Sequence, residues 1–163
     1  MLFRSATTTT AENVDALLTT TLGERSLDLF SVIACADQVR DKKPAPDIYR
    51  LALHTLGIEP ENAVAFEDSA NGLKSAVAAG LWTVVTPTFW TAGDNFSTAG
   101  ITLPHFGDAD HPLPATLHPC FASAPWLNLA ALQSLLERSR DASPVSSDRR
   151  PLQRSEPLHA HPR

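Results

Sequence analysis

Four short segments with the chemistry of phosphate and metal binding are spread over residues 7–91. A run of threonines (residues 7–10) precedes a helical pattern, and Lys43 stands in a proline-containing segment. Glu67 and Asp68 end an apolar run, and residues 86–91 (TPTFWT) follow the next one. Hydroxyl and backbone N–H groups ahead of a helix bind anions, and adjacent carboxylates repel each other unless a cation compensates. Hydroxyl, lysine and an acidic pair together predict a site for phosphate and Mg²⁺, the set that phosphoryl transfer requires.

Each segment also has a simpler interpretation. A threonine run often does no more than cap a helix, and a lysine next to another lysine is often solvated. For the acidic pair we favour Mg²⁺, which binds carboxylate oxygens and retains water. Trp90, in the last segment, could pack on a ligand or a neighbouring domain, or lie in the core.

The elements that must position these residues follow from hydrophobic periodicity. Short apolar, β-branched runs alternate with helical patterns, which predicts an α/β fold with parallel strands. In such sheets ligands bind at the carboxyl ends of the strands, where these segments stand. Strands are predicted at residues 32–35, 63–66, 83–86 and 101–103. Helices are predicted from Ala11, from Pro46 to Gly57, from a cap at Ser69 or Asn71 to Ala79, and over residues 127–137.

Composition limits the class of protein. The 163 residues are 43% hydrophobic, which suits one domain. No apolar run approaches the ~20 residues of a membrane span, and residues 1–6 are too short and polar for a signal peptide. We therefore expect a soluble, cytoplasmic protein without a membrane partner. The net charge of −5 argues against a nucleic-acid partner, and Cys35 and Cys120 are interpreted as small apolar residues.

The end of the chain differs from the rest. Residues 139–163 contain four prolines, five arginines and no aromatic residue. Such a segment buries too little apolar surface to offset the entropy of ordering. The sequence thus predicts a domain over residues 6–137 and a disordered tail over residues 138–163.

Two long segments resemble the haloacid dehalogenase-like (HAD) hydrolases. They are residues 41–57 (DKKPAPDIYRLALHTLG) and residues 63–80 (AVAFEDSANGLKSAVAAG). Residues 6–18 (ATTTTAENVDALL), 83–91 (TVVTPTFWT) and 94–97 (DNFS) are similar to the CbbY-like branch, near β-phosphoglucomutase. The resemblance implies a Rossmann-like α/β/α fold of three layers around a parallel sheet.

The resemblance also implies roles for the residues that match. Thr7 corresponds to the hydroxyl that binds the transferring phosphoryl group, with Thr8 beside it as a second phosphate-binding candidate. Lys43 corresponds to the lysine that neutralises the phosphoryl charge. Glu67 and Asp68 correspond to the acids that hold Mg²⁺. The implied substrate is a small sugar phosphate.

One part of the family pattern is missing. The nucleophile and the general acid/base of the family are aspartates of an Asp-x-Asp motif on the first strand, and no such motif precedes residue 108. Asp108 and Asp110 lie in a proline-flanked loop and are rejected. In the family, the first strand lies between the strand before Thr7 and the strand before Asp68. Residues 1–5 (MLFRS) stand where the strand before Thr7 should be, and they lack its usual apolar run. We therefore expect a carboxy-terminal fragment without central strand or helical cap.

Three functions stay open. The fragment could derive from a phosphatase of the CbbY-like kind, which is reported to act on xylulose 1,5-bisphosphate, and would be inactive alone for want of the nucleophile. It could derive from a phosphomutase, an isomerase. It could also be a non-catalytic remnant that binds Mg²⁺, phosphate or only a partner. In each case the exposed sheet edges are expected to favour self-association.

Overall fold

The computed structural model describes residues 3–142, in which helices and strands alternate. The strands are β1 (Phe3–Ala6), β2 (Phe30–Ala34), β3 (Val64–Glu67), β4 (Trp82–Val85) and β5 (Ile101–Thr102). The helices are α1 (Ala11–Leu22), α2 (Asp47–Leu56), α3 (Ala70–Ala78) and α4 (Leu129–Ala142). Short 3₁₀ helices cover Ser26–Leu29, Ala36–Gln38, Pro60–Asn62 and Pro119–Ala122.

The strands form two parallel sheets. β1 pairs with β2, so that Ala6 lies opposite Ala34. The second sheet has the order β3-β4-β5, with Glu67 opposite Val85. Within residues 3–142, β1 and β3 do not pair with each other. The parallel α/β class predicted from the sequence is confirmed, and the sheet divides where the resemblance places the missing central strand.

One apolar core connects the two sheets. α2 contributes Ile48 and Ala52 to it, and α3 contributes Ala76. The strands contribute Val32 and Ala34 from β2 and Ala65 from β3. α2 packs on the β1-β2 sheet and on α3, and α3 packs on β3 and β4, so burial of the apolar faces of these two helices holds the two sheets together.

A second core covers the other face of the β3-β4-β5 sheet. Successive residues of a strand point to opposite faces, so Val84 lies in this core while Ala65 lies in the first. α4 packs Ala131 and Leu135 against it, and Leu103 and Phe121 complete it. This sheet is therefore the middle of three layers, as the family resemblance predicts.

The helix ends follow capping chemistry. α2 begins after Pro46 and ends at Gly57, which has the left-handed φ of 64° that glycine adopts most easily. α3 is capped by Ser69, whose side chain accepts a hydrogen bond from the Gly72 amide. This decides between the two caps that the sequence left open. α1 is capped by Thr10.

Two segments differ from expectation. β1 forms in spite of its polar sequence, because its backbone pairs with β2. α4 extends through Ala142, past the predicted boundary at residue 137, since residues 138–142 contain no glycine or proline and Pro144 is the next helix breaker. The remainder of the predicted tail, residues 143–163, lies outside the described residues. None of the described helices has the length and apolar character required to cross a membrane.

Candidate functional site

The carboxyl ends of β1 and β3 and the first turn of α3 surround a cavity of about 360 Å³. All five residues that the sequence singled out for phosphate or metal line it, although they come from distant parts of the chain. The full lining is Ala6, Thr7, Thr8, Lys43, Glu67, Asp68, Ser69, Asn71 and Gly72. The chain therefore places hydroxyls, an ammonium and two carboxylates around one space.

Lys43 spans the division between the two sheets. Its Nζ donates to the Ala6 carbonyl oxygen at 3.0 Å and to Glu67 Oε1 at 2.6 Å. The side chains of Lys43 and Glu67 are 11% and 7% exposed, so the ion pair is mostly shielded from water. An ammonium has three donors, and these two contacts use two of them. The lysine is thus fixed at the cavity wall with a further donor for an anion.

Glu67 has a second donor that the sequence interpretation missed. The Tyr49 hydroxyl, from the first turn of α2, donates to Glu67 Oε1. Burial, followed by the charge of Glu67, raises the pKa of Tyr49, so the phenol keeps its proton. Lys43 Nζ lies 4.9 Å from the centre of the Tyr49 ring, within cation–π range. An aromatic residue on an apolar helix face resembles any core residue, so the sequence pattern alone gave no signal for it.

Asp68 is exposed on the cavity side of this cluster. Its backbone carbonyl accepts a hydrogen bond from Thr91 Oγ1 at 2.5 Å. Asp94 Oδ2 accepts from the Ala70 amide at 3.0 Å. The loop after β4 therefore supports the main chain around Asp68. Trp90, in that loop, is 88% exposed, so its alternative interpretation as a core residue is wrong.

The threonine run divides between two tasks. The Thr7 amide donates to the Ala34 carbonyl at 2.9 Å and continues the pairing of β1 with β2. Thr7 Oγ1 accepts from the Thr9 amide at 3.3 Å, and Thr8 is exposed at the cavity. Thr10 caps α1. Capping and cavity lining thus fall to different threonines of the same run.

The donor set fits a metal that takes few protein ligands. Among residues 3–142, no group of three or more His, Cys, Asp and Glu side chains is placed to hold a metal ion. Glu67 and Asp68 supply two adjacent carboxylates, and Glu67 Oε1 already serves Lys43 and Tyr49. Mg²⁺ commonly binds one or two carboxylates and completes its shell with water and phosphate oxygens. These two residues match that requirement, with Asp68 the more accessible.

The late Asp-x-Asp pair has a different role. Asp108 Oδ1 accepts from the backbone amides of Asp110 and His111 at 2.8 and 2.6 Å. The hydrogen bond from the His111 backbone lowers the pKa of Asp108. Neither aspartate lines the cavity. The pair forms a surface turn, in agreement with its rejection as a catalytic motif.

Comparison with known proteins agrees with this fold. Residues 5–80 match the haloacid dehalogenase-like hydrolase family. The plasmid-encoded protein CbbY of Cupriavidus necator is 47% identical over 129 residues, which are 79% of this chain and 50% of that protein.

Two solved structures are also similar. A mutant of CbbY from Rhodobacter sphaeroides in complex with xylulose-(1,5)bisphosphate has a TM-score of 0.61 at 45% identity, covering 67% of this chain and 50% of that one. A putative β-phosphoglucomutase from Thermotoga maritima has a TM-score of 0.51 at 30% identity, covering 60% of this chain and 44% of that one. The chain spans about half the length of these curated relatives.

Proposed function

We propose that this chain, which matches the haloacid dehalogenase-like hydrolases over residues 5–80, forms the phosphate- and metal-holding part of a Mg²⁺-dependent sugar-phosphate phosphatase. The observation that carries the proposal is the position of Lys43. Its ammonium lies between Ala6 and Glu67 at the wall of a cavity that Thr7 and Asp68 also line.

The roles of the residues follow from their chemistry. Lys43 would bind phosphate oxygens through its remaining donor, and the hydroxyls of Thr7 and Thr8 would orient the same group. Glu67 and Asp68 would hold Mg²⁺, which would neutralise phosphate charge when bound. Fixed charges of this kind stabilise a phosphoryl-transfer transition state because they need no reorganisation.

A sugar bisphosphate is the proposed substrate class. Support comes from the similar CbbY structure, which was solved with xylulose-(1,5)bisphosphate. The similarity to a putative β-phosphoglucomutase keeps an isomerase as the second candidate. Both candidates need the same anion and metal contacts, so the cavity supports either. A cytoplasmic location belongs to the same proposal.

Residues 1–163 are further proposed to be inactive alone. Among the described residues that line the cavity, Asp68 is the one aspartate, and it is assigned here to the metal. Charge stabilisation without a nucleophile leaves only residual catalysis. A phosphate-release assay with sugar phosphates should therefore give no turnover at the rate usual for an enzyme. Robust Mg²⁺-dependent release that is lost in Asp68→Asn would contradict this.

Calorimetric titration with Mg²⁺ tests the metal site directly. Asp68→Asn keeps the size of the side chain and removes its charge, so the affinity should fall at least about tenfold, or ~1.4 kcal/mol. The matched control is Asp37→Asn, an exposed aspartate outside the cavity lining. Equal affinities in the original chain and Asp68→Asn would refute the assignment. The same comparison should be made in a chain to which the family's first strand has been added.

A further inference from the structure

We propose that Tyr49 is a positioning residue that keeps Lys43 available to phosphate by sharing the carboxylate of Glu67 with it. The inference rests on the proposed function and adds to it a residue that contacts neither phosphate nor metal. Tyr49 does not line the cavity. It acts on the cavity through Lys43 and Glu67.

The geometry joins side chains from α2, from β3 and from the turn that precedes α2. The Tyr49 hydroxyl and Lys43 Nζ both donate to the same oxygen, Glu67 Oε1. The Tyr49 ring also lies 4.9 Å from Lys43 Nζ. One tyrosine therefore contacts both partners of the ion pair, the carboxylate through its hydroxyl and the ammonium through its ring.

The other oxygen of Glu67 is confined as well. A Cβ atom on Gly72 would lie 1.8 Å from Glu67 Oε2, so the carboxylate occupies the space that this glycine leaves empty. With Tyr49 on one side and Gly72 on the other, Glu67 is 9% exposed and has little room to move. Both oxygens of the Glu67 carboxylate are therefore confined.

The arrangement affects the competition between the Glu67 carboxylate and phosphate for the ammonium of Lys43. Lys43 and Glu67 form an ion pair at 2.6 Å that is largely shielded from water, where charges attract strongly. An ammonium held by one carboxylate is a weaker ligand for a second anion. A phenol that donates to the same carboxylate oxygen withdraws part of its charge from the lysine. Phosphate then competes better for the ammonium.

The composition of the chain allows a direct test. Tyr49 is the only tyrosine in 163 residues, so ¹³Cζ-tyrosine labelling gives a single NMR signal. The probe is inorganic phosphate, titrated into the full chain, with Lys43 observed through its own side-chain signal. Tyr49→Phe removes the hydroxyl and keeps the ring. Thr83→Val is the matched control, because it removes a buried hydroxyl that donates to the Leu81 carbonyl away from the cavity.

We expect the phosphate dissociation constant of Tyr49→Phe to rise about five- to tenfold, less than the full effect of a lost hydrogen bond to a charged group, because the tyrosine acts on phosphate through Lys43. Thr83→Val should stay within about twofold of the original chain. In the original chain the Tyr49 signal should shift as phosphate binds, and it should also shift in Glu67→Gln and Lys43→Met. A purely structural tyrosine would not respond to phosphate.

Three results would overturn the inference. The first is an unchanged phosphate affinity in folded Tyr49→Phe. The second, which applies even if that variant does not fold, is a Tyr49 signal that stays fixed while the Lys43 signal moves on phosphate addition. The third is a titration in which the signals of Thr7, Lys43 and Asp68 do not shift when phosphate is added. That result overturns both the proposed function and this inference. The first two results leave the proposed function intact, so the two failures are distinguishable.

Discussion

Glu67 is the residue on which the other contacts of the cavity depend. It is 9% exposed, accepts hydrogen bonds from Lys43 and Tyr49, and lies over Gly72. A buried carboxylate is stable only when donors compensate its lost hydration. Because Lys43 and Tyr49 supply those donors, a change that displaces the Glu67 carboxylate should disturb both the cavity and the contacts that join the two sheets.

Gly72→Ala should produce such a displacement. The new Cβ would lie 1.8 Å from Glu67 Oε2, so the carboxylate must leave its confined position and lose the geometry of its contacts with Lys43 and Tyr49. Alanine in a helix is up to ~1 kcal/mol more favourable than glycine, which offsets part of the disturbance. We expect a lower thermal midpoint, measured by circular dichroism, because the buried Lys43–Glu67 ion pair is disturbed, together with at least a ~10-fold loss of Mg²⁺ affinity by calorimetry.

Gly93→Ala is the control for this prediction. A Cβ at Gly93 meets no atom within 4 Å, so both the midpoint and the Mg²⁺ affinity should stay as they are. If Gly72→Ala bound Mg²⁺ as tightly as the original chain, the position of Glu67 would not matter for the metal.

At the scale of single residues, the sequence indicated the candidate phosphate and metal ligands but not the residues that hold Glu67 in place. Thr7, Lys43 and Asp68 were found because polar residues after apolar strands meet at one edge of a parallel sheet. Tyr49 and Gly72 were missed because their importance comes from contacts with Glu67 that cross between elements. Residue type and spacing describe what a side chain can do, and its partners depend on the fold.

The individual elements were largely predictable. Pro46 and Gly57 mark the two ends of α2 because each restricts or permits a particular backbone conformation. β3 and β4 were predicted one residue out of position, since a continuous apolar run does not mark where pairing begins. The division into two sheets could not come from periodicity, which describes each strand alone and says nothing about its neighbour.

One short element carries a titratable cap. His118 precedes the 3₁₀ helix Pro119–Ala122, and its Nδ1 accepts from the Cys120 amide at 3.3 Å. Desolvation, followed by the charge of Arg138, lowers the pKa of His118 in the folded chain. Protonation of His118 would therefore remove the acceptor of the Cys120 amide and add a positive charge near that of Arg138.

This cap should make stability depend on pH in one direction. Because folding lowers the pKa of His118, the unfolded chain binds more protons and the free energy of unfolding rises with pH. The contribution is complete above the unfolded histidine pKa of ~6.5 and is lost as pH falls below it toward the folded value. Urea unfolding between about pH 8 and pH 5.5 should show a smaller loss in His118→Asn, which keeps a capping side chain without the charge.

His54→Asn is the matched control for the cap. It makes the same substitution at an exposed position of α2, outside the 3₁₀ helix, and so gives the reference against which the slope of His118→Asn is compared. A slope equally steep in His118→Asn and the original chain would show that the cap does not titrate in this range.

For the molecule as a whole, the important feature is the division between β1 and β3. The two sheets are joined by the core that α2 fills and by the contacts of Lys43 with Ala6 and Glu67. Phe66, on β3, is 49% exposed, so β3 carries an apolar surface that no described residue fully covers. The cavity therefore lies where β1 and β3 face each other without pairing.

The divided sheet should lower stability and favour association. Strand edges that are neither paired nor solvated cost about 1–3 kcal/mol for each unmet hydrogen bond, against a total of ~5–15 kcal/mol for a domain. Exposed edges also pair with other chains. We expect thermal unfolding, followed by circular dichroism at several protein concentrations, to be broad and to depend on concentration. A cooperative transition at about 45–65 °C in a monomer, unchanged by dilution, would show that α2 and Lys43 suffice to hold the two sheets together.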